Sequence, residues 1–362
     1  MQSIYRGLAL WLFVPCLALA ESPWKAVSTG TEASLRGLAA VSERVAWASG
    51  TQGTILRTLD GGVSWVRRPV EGAEELDFRD IEAFDRDTAL FLTAGQPARI
   101  YRTEDGGASF TLVHESPHQA AFFDGMDFWD DQRGLVYSDP VDGRFLVLAT
   151  DDGGKTWKEA SGFPDPVEGE AGFAASGSNV AVVTGGHAWI GTGGAVARVL
   201  RSSDGGETWA VAPTPLRQGE PSAGIFSIVF RDPKHGLVVG GDYRDPENPE
   251  GNIARSDDGG QTWQTIPGPP PRGHRAAVGW WPQASAWLAI GRAGTDFSED
   301  DGRSWKPLSD VGFYTLSIAE DGTVWVAGSE GRAARLKVDD LPSRESQSAP
   351  EENPVGGAPE SR

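Results

Sequence analysis

One eight-residue pattern, Ser/Thr-x-Asp-x-Gly-x-Ser/Thr-aromatic, occurs six times in this chain. The copies are Thr58–Trp65, Thr103–Phe110, Thr150–Trp157, Ser202–Trp209, Ser256–Trp263 and Ser298–Trp305. Their first residues lie 45, 47, 52, 54 and 42 residues apart. A repeat length in this range is typical of stacked or radial repeat architectures. The repeat therefore constrains the fold more than any other feature of the sequence.

Each copy has the chemistry of a hairpin turn. The Asp carboxylate can accept hydrogen bonds from backbone N–H groups two or three residues further on, and the Gly adopts positive φ at little cost. The aromatic residue begins the next strand with a large surface to bury. The pattern lacks the alternating carboxylates and closing Glu of a calcium loop. We therefore expect turn roles, neither catalytic nor calcium-binding, for Asp60, Asp105, Asp152, Asp204, Asp258 and Asp300.

The residues around each copy predict three strands before the turn and one after it, which is one propeller blade. In blade four, we expect Gly172–Ser176 as the inner strand and Val180–Gly185 as the second. After the sixth copy, residues 313–336 supply three further strands and no turn of this type. Trp24–Val27 resembles the Trp-Lys start of two outer strands, and we expect it to be the missing strand. The prediction is an all-β, single seven-bladed β-propeller whose last blade is closed by the N-terminal strand.

The two ends of the chain differ from the repeat region in composition. Residues 1–20 combine Arg6, an apolar run and a small-x-small site at Ala18–Ala20, which predicts a signal peptide cleaved after Ala20. Periplasmic or secreted localisation follows, and cleavage removes the chain's one cysteine, Cys16. Residues 341–362 are rich in Pro, Ser, Glu and Gly and are expected to be disordered. The propeller domain is predicted to span residues 21–340.

The chain is strongly acidic, with a formal net charge of −19. Such a surface repels nucleic acid and anionic lipid, so we expect neither as a partner. The apolar N-terminal run is too short for an integral membrane span. We also expect the protein to be a monomer. No H-x-x-H, H-E-x-x-H or C-x-x-C motif occurs, and no G-x-x-G lies in a βαβ context. Neither a metal site nor any other cofactor is therefore predicted.

Candidate site residues lie on the face opposite the repeated turns. Three longer loops are expected there, at 138–144, 185–194 and 241–251, and a variable inner-strand position should converge on the channel mouth. The ligand-binding candidates are Arg36, Arg79, Asp80, Phe123, Asp124, Asp139, Arg144, Phe173, Phe226, Asp242, Tyr243, His274, Arg275 and Tyr314. The arginines could hold a carboxylate or another anion bidentately. Alternatively, each arginine pairs with a neighbouring aspartate and is only a solvated residue at the rim of the channel.

With the blades assigned, the chain resembles the photosystem II stability/assembly factor family and its bacterial relatives, which carry the same T-x-DGG-x-[ST]-W blade ending. The resemblance covers roughly residues 24–338. It implies a non-enzymatic scaffold that binds a protein segment and assists assembly. We therefore expect an exported binding module that recognises a protein segment or a small anionic ligand.

A glycoside hydrolase is the alternative function, because sialidases also combine a propeller, Asp boxes and an arginine triad. Sialidases have six blades and an F/Y-R-I-P motif, whereas this chain has Arg99-Ile-Tyr101 and seven expected blades. A glycosidase needs two carboxylates facing each other across the sugar. Asp80, Asp124, Asp139 and Asp242 are the candidates for such a pair.

Overall fold

The computed structural model describes residues 22–341, which form seven antiparallel β-sheets arranged as the blades of a propeller. The described helices are two 3₁₀ turns, Pro282–Ala284 and Val338–Asp340. The predicted all-β, seven-bladed class is confirmed. The predicted signal peptide lies outside the described residues, as does the predicted tail beyond Leu341.

The blades follow the chain in order. The first described strand is β1 (Lys25–Ser28). Blades one to three contain β2 to β13: Leu35–Ala40, Ala46–Gly50, Thr54–Thr58, Val66–Arg67; Asp77–Ala83, Ala89–Ala94, Arg99–Thr103, Thr111–Glu115; Phe123–Phe128, Gly134–Val141, Arg144–Thr150, Lys158–Glu159. Blades four and five contain β14 to β22: Glu170–Ala171, Val180–Val183, His187–Gly191, Gly193–Gly194, Arg198–Ser202, Ala210–Pro213, Ala223–Phe230, Gly236–Asp242, Ile253–Ser256. Blades six and seven contain β23 to β29: Ala277–Trp281, Ala286–Gly291, Gly294–Ser298, Lys306–Ser309; Thr315–Ile318, Val324–Ala327, Arg332–Leu336.

The first strand closes the ring, as predicted. β1 pairs antiparallel with β29, and Lys25 lies opposite Arg335. Trp24 is buried beside this strand, where its ring meets Phe313 edge-on at 5.5 Å and its Nε1 donates to Thr295 Oγ1 at 3.2 Å. Backbone pairing therefore covers the outer edge of β29, and an aromatic anchor fixes β1 between blades six and seven.

The six repeated turns share one hydrogen-bond geometry, shown by the first. Asp60 accepts from the backbone N–H and the hydroxyl of Ser64, four residues on, at 2.9 and 2.6 Å. The Thr58 hydroxyl accepts from Gly62 N–H at 2.9 Å. The hydrogen bonds from Ser64 lower the pKa of Asp60 to about 2. The predicted turn role is confirmed. The fourth residue donates in every turn, and in the third turn Lys155, three residues on, also donates to Asp152 at 3.0 Å.

The sixth turn differs because Asp301 occupies the position that is Gly in the other five. Asp301 has φ of 65°, a left-handed conformation that favours glycine. Its carboxylate accepts from Arg231 at 3.1 Å, from Arg255 at 3.0 Å and from Trp287 Nε1 at 3.2 Å. These three side chains give the carboxylate a role that glycine cannot fill, which offsets the backbone strain.

Blade four differs from its prediction. The inner strand is β15 (Val180–Val183), and the expected loop at 185–194 contains the second strand, β16 (His187–Gly191). Gly172–Ser176, the expected inner strand, belongs to no strand. Blade five also departs from the pattern: β14 and β17 extend its sheet, and a single bridge between Arg255 and Gln264 replaces its outer strand.

Residues 172–178, here called the channel segment, cross the central channel. Arg36 and Arg79 donate to the carbonyls of Ala175 and Ala174 at 3.5 and 3.2 Å. On other sides, the segment is bonded to blades three, five, six and seven through Gly125, Ser227, Ala276 and Thr315. The small side chains of the segment let it fit where six inner strands converge.

Gly177 is the tightest point of the channel segment. It has φ of +76°, and a Cβ at this position would lie 2.0 Å from the Asp80 carboxylate. Glycine is therefore required at this position, both because φ is positive and because the Asp80 side chain of blade two leaves no room for a Cβ.

Ring closure makes a prediction about stability. We expect Trp24→Ala to lower the free energy of unfolding by about 3–5 kcal/mol, because it empties a buried aromatic site between two blades. Lys25→Ala is the matched control in the same strand, since the exposed Lys25–Asp340 pair contributes less than about 1 kcal/mol. Urea denaturation of both variants measures the difference. Equal, small losses would show that the first strand does not hold the ring.

Candidate functional site

A cavity of about 380 Å³ opens at one mouth of the central channel. Its walls combine arginines, aromatic rings, a histidine and the channel segment. The lining residues are Arg36, Arg79, Phe122, Gly172, Phe173, Ala174, Ala175, Phe226, Tyr243, His274, Ala276, Arg292 and Tyr314. The strand register places this mouth opposite the repeated turns, since Leu35 pairs with Gly50 at one end of blade one and Ala46 pairs with Thr58 at the other.

β-bulges direct several lining side chains into the channel. The pairing of inner and second strands shifts by one residue between Leu35 and Gly37, between Phe78 and Asp80, and between Ile225 and Ser227. The residues skipped by these shifts are Arg36, Arg79 and Phe226. A bulge leaves one residue outside the ladder and re-aims its side chain, which here brings all three into the cavity.

The residue before each bulge is instead a buried anchor, which corrects two predicted site residues. The backbone N–H groups of Leu35, Ile225, Arg275 and Phe313 each donate to a carbonyl of the preceding blade, at Gly328, Thr192, Gly240 and Gly291. Arg275 therefore occupies the anchor position, and Ala276 takes the position that faces the cavity. Phe123 is likewise an anchor with no exposed surface. Neither Phe123 nor Arg275 lines the cavity. In blade three the pairing shifts between Phe123 and Gly125, whereas blade six pairs without a shift from Ala277 onward.

Three guanidinium groups surround the cavity mouth, and they differ in their ion pairs and stacking contacts. Arg79 donates to Asp77 at 2.8 Å and is thereby partly neutralised. Arg36 lies over the ring of Tyr314, 4.4 Å from its centroid. Burial lowers the pKa of Arg36, and the charges of Arg79 and Arg292 lower it further. Within residues 22–341, neither Arg36 nor the exposed Arg292 forms an ion pair with a carboxylate. The mouth therefore holds unneutralised positive charge.

An aromatic wall stands beside these arginines. Phe173 and Phe226 stack with centroids 4.0 Å apart and planes 11° apart. Tyr243 meets Phe226 edge-on at 6.2 Å and is 41% exposed, which is unusual for a tyrosine in contact with this core. The wall can take an apolar or aromatic group that accompanies an anion.

His274 contributes a neutral polar group to the same wall. Its ring lies perpendicular to Phe226 at 4.4 Å. Burial, and then the charges of Arg275 and Arg292, lower the pKa of His274 to about 3. Its Nε2 is buried and has no hydrogen-bond partner in the described chain. The imidazole is therefore uncharged near neutral pH, and its Nε2 is enclosed.

The predicted acidic site residues lie outside the cavity lining. Asp80 accepts from the N–H groups of Ile81 and Met126, at 2.8 and 2.7 Å, deeper in the channel. Asp242 lies 3.7 Å from Arg217. Asp139 accepts from Gly172 N–H at 2.7 Å and so positions the channel segment.

Asp124 lies behind Gly172, fully buried, and neither of its carboxylate oxygens has a hydrogen-bond partner among residues 22–341. Burial raises the pKa of Asp124 well above its usual range, and Asp139 raises it further. Asp124 is therefore an enclosed group and not a carboxylate that faces the cavity.

Arg144 lies away from the channel. It is exposed next to the turn between β11 and β12 and lines a separate groove of about 800 Å³ together with His118 and Glu159. Of the predicted residues, the structure brings together Arg36, Arg79, Phe173, Phe226, Tyr243, His274 and Tyr314. Their role in binding remains a prediction.

The sequence interpretation missed Phe122, Arg292 and the two alanines of the channel segment. Arg292 follows Gly291 in the short β24–β25 turn of blade six. Its place between a second and a third strand is a usable indication, although the connection is short. Phe122 immediately precedes Phe123, on the side away from the skipped Asp124, so the bulge does not account for it.

The fold and this cavity define a class: a seven-bladed Asp-box propeller with a cationic and aromatic cavity at one channel mouth. Propellers of this kind bind ligands at that face. In residues 22–341, no cluster of three or more His, Cys, Asp or Glu side chains is suited to a metal ion. None of the helices in that range has the length and apolar character needed to cross a membrane.

Comparison with known proteins specifies the class further. A family model described as photosynthesis system II assembly factor YCF48 matches residues 17–121, and a BNR/Asp-box repeat model matches residues 254–265. A curated relative, the photosystem II assembly lipoprotein Ycf48 of Picosynechococcus sp., is 24% identical over 308 residues, which is 72% of this chain and 84% of the relative.

Two solved structures share the fold. YCF48 bound to D1 peptide superposes with a TM-score of 0.63 at 16% identity, covering 89% of this chain and 99% of the other. YCF48 from Cyanidioschyzon merolae gives a TM-score of 0.62 at 18% identity, covering 87% and 99%. The chain is a BNR/Asp-box repeat propeller that resembles the photosystem II assembly factor family.

The anchor role of Arg275 can be tested by mutation. Arg275 is fully buried and donates to the buried Asp296 at 2.7 Å, so we expect Arg275→Ala to cost about 3 kcal/mol of stability. Arg36→Ala is the control, because Arg36 lacks a carboxylate partner and its stacking on Tyr314 contributes about 1 kcal/mol or less. Thermal or urea denaturation distinguishes the two. A smaller loss for Arg275→Ala than for Arg36→Ala would contradict the assignment.

The low pKa of His274 predicts a pH dependence. Between pH 6.5 and 3 the unfolded state binds a proton at this residue that the folded state does not, so its contribution to stability is lost as pH falls through that window. Relative to His274→Gln, the wild-type protein should therefore lose about 2 kcal/mol between pH 6.5 and pH 5.

The comparison between variant and wild type is necessary because the titration of other groups changes the stability in the opposite direction as the pH falls. Burial raises the pKa of Asp80 to about 8, for example, and this favours the folded state as pH falls. Urea denaturation at both pH values measures the difference. A constant stability gap between wild type and His274→Gln would contradict the low pKa.

Proposed function

We propose that this protein is an exported binding and assembly scaffold that captures a protein segment at the channel-mouth cavity. The observation that carries the proposal is the placement of Arg36 and Arg292 beside the stacked Phe173 and Phe226. Among residues 22–341, neither arginine has a carboxylate partner. Guanidinium groups bind carboxylates through paired, charge-assisted hydrogen bonds. The aromatic wall supplies apolar contact for the residue that carries or adjoins the carboxylate.

The size of the cavity limits what it can take. At about 380 Å³ it lies near the lower end of small-ligand pockets, so it fits a short part of a segment and not a folded surface. A free chain terminus or an acidic side chain next to an aromatic residue fits this volume and charge. The exposed Tyr243 hydroxyl adds specificity through a directional hydrogen bond.

The similar proteins support a peptide as the partner. The curated relatives are named as photosystem II assembly proteins, and one solved propeller of similar fold is described as bound to D1 peptide. By analogy, the segment captured here belongs to a protein that is being assembled.

The proposed cellular context also follows from the sequence. We infer export, with cleavage after Ala20, to the periplasm or an equivalent compartment, where the domain of residues 21–340 acts as a monomer. The naming of two relatives as lipoproteins supports export. A non-enzymatic role accords with the lining of the cavity, in which no Asp or Glu occurs.

Glycoside hydrolysis is the second candidate, and the cavity geometry does not favour it. Two carboxylates must flank the scissile bond. Asp124 and Asp139 come nearest, but Asp124 is enclosed behind Gly172 and Asp139 is bonded to that residue's N–H. Turnover of a chromogenic glycoside, lost in Asp139→Asn, would establish this alternative. A broad panel without turnover would remove it.

Peptide binding tests the proposal. The probe is a labelled eight-residue peptide with an aromatic residue next to a free C-terminal carboxylate, and its C-terminal amide is the control ligand. We expect fluorescence anisotropy to show binding of the acid, with the amide and the Arg36→Ala/Arg292→Ala variant each weaker by about tenfold or more. Arg144→Ala, an exposed arginine outside the cavity, should leave the affinity unchanged. Equal affinity for acid and amide, or for the double variant and wild type, would contradict the proposal.

A further inference from the structure

The third strand of blade three extends beyond its outer strand. In blades two, four, six and seven, the outer strand reaches to within one residue of the start of the third strand. In blade three, β13 pairs with Leu148 and Ala149 of β12, and Ala160 N–H adds one bond to the Val147 carbonyl at 2.8 Å. Residues 144–146, which begin β12, therefore have no paired outer neighbour in the described part of the chain.

This free edge presents hydrogen-bonding groups of the backbone. The Val147 carbonyl points to the outer side of β12, and the direction alternates along a strand. The N–H and C=O of Phe145, two residues earlier, therefore point to the outer side as well. The register between β11 and β12 skips Phe145, so the inner neighbour does not take these groups. An unpaired strand edge of this kind is a template for an added strand.

The free edge lies in the groove of about 800 Å³ that Arg144 lines. One wall consists of residues 141–146, and the other consists of residues 159–165, which leave β12 and cross to blade four. Phe163 stacks there on Trp209, with ring centroids 4.8 Å apart and planes 28° apart. The gap lies where a longer outer strand would run, and the contact with blade four holds it open. We call it the blade-three groove.

Acidic side chains dominate the rim of the blade-three groove. The exposed charged residues in its lining are Asp142, Arg144, Glu159 and Asp165. Glu159 bonds to His118 at 2.9 Å, whereas Asp142 and Asp165 form no ion pair among residues 22–341. Carboxylates outnumber guanidinium groups three to one in this lining. An acidic rim on a chain with a net charge of −19 favours a cationic partner.

We propose that the blade-three groove binds an extended, basic peptide segment of a partner protein, which adds as a strand to the outer edge of β12. Main-chain hydrogen bonds to Phe145 supply affinity, and side chains at alternate positions supply specificity. Residues 144–146 span about 10 Å at about 3.3 Å per residue, so about three residues of the segment pair with them. Lysine or arginine at every second position faces the acidic rim, and the apolar residues between them contact the floor.

The inference does not rest on the proposed function. The channel-mouth cavity is cationic and takes a carboxylate, whereas the blade-three groove is acidic and lies at the outer edge of one blade. No residue lines both. The two sites are therefore separable by mutation.

Fluorescence anisotropy with the exported form that begins after Ala20 tests the proposal. The probe is an eight-residue peptide of alternating lysine and valine that carries an uncharged dye. Blocked termini leave the probe without a free carboxylate for the cavity. The same peptide with glutamate in place of lysine is the control ligand. We expect the lysine peptide to bind about tenfold or more tightly than the glutamate peptide. Equal affinities would overturn the proposal.

Charge variants locate the contact. Asp142→Asn/Glu159→Gln/Asp165→Asn removes three carboxylates from the groove, and Glu32→Gln/Glu71→Gln/Glu320→Gln removes the same charge at exposed positions of blades one and seven. We expect the groove variant to weaken binding of the lysine peptide about tenfold and the matched control less than about twofold. All six positions are exposed, so melting temperatures should stay within about 2 °C of wild type. Equal weakening by the two variants would show binding through net charge alone and would overturn the proposal.

Backbone pairing has a test of its own. The N–H groups of an added strand point alternately toward β12 and away from it, so every second amide bonds to β12. One derivative of the lysine peptide is N-methylated at its valines and another at its lysines. Methylation of the set that faces β12 should weaken binding about tenfold or more, and methylation of the other set should leave it unchanged. Equal affinities of the two derivatives would contradict strand addition.

Two further measurements separate this site from other sites and occupants. The Arg36→Ala/Arg292→Ala variant should bind the lysine peptide at least as tightly as wild type, and a loss would place that peptide in the cavity and overturn the inference. Retained capture of the acid peptide by the same variant would contradict the proposed function alone. Analytical ultracentrifugation should show a monomer with and without the lysine peptide. A dimer that the peptide dissociates would assign the edge of β12 to a second copy of this chain and overturn the proposal.

Discussion

Antiparallel pairing of the first described strand with the last one is the interaction on which the rest of the structure depends. An open array of seven sheets would expose the long edge of β29, and its inner strands would not converge. With β1 in place and Trp24 inserted against Phe313, the ring is closed and each inner strand faces a common channel. The channel-mouth cavity exists only because side chains from separate blades meet there.

The channel segment determines which kind of ligand the cavity can bind. It fills the channel below the cavity with small residues and takes backbone hydrogen bonds from Arg36 and Arg79. It also separates the positively charged mouth from the buried Asp80 side chain deeper in the channel. The cavity is therefore a shallow, cationic and aromatic site, which suits the end of a peptide better than a substrate that needs two facing carboxylates.

Much of the fold could be predicted because it is repeated. The turn pattern fixed the blade length, and the absence of a seventh copy together with Trp24-Lys25 indicated the closing strand. The prediction for blade four was wrong because Gly172–Ser176 has the composition of a strand. No local sequence feature indicates that this segment crosses the channel. Phe123 and Arg275 lie outside the cavity lining, and the bulge that follows Phe123 leaves no mark in the sequence. Arg292 was missed since it lies in a connection of only two residues.

The most direct test of the account is a crystal structure of the protein with a bound peptide that ends in an aromatic residue and a free carboxylate. The account predicts electron density in the channel-mouth cavity, with the carboxylate within about 3 Å of the Arg36 and Arg292 guanidiniums and the aromatic ring against Phe226. Peptide density on an outer blade edge or on the turn face, with the cavity empty, would contradict it.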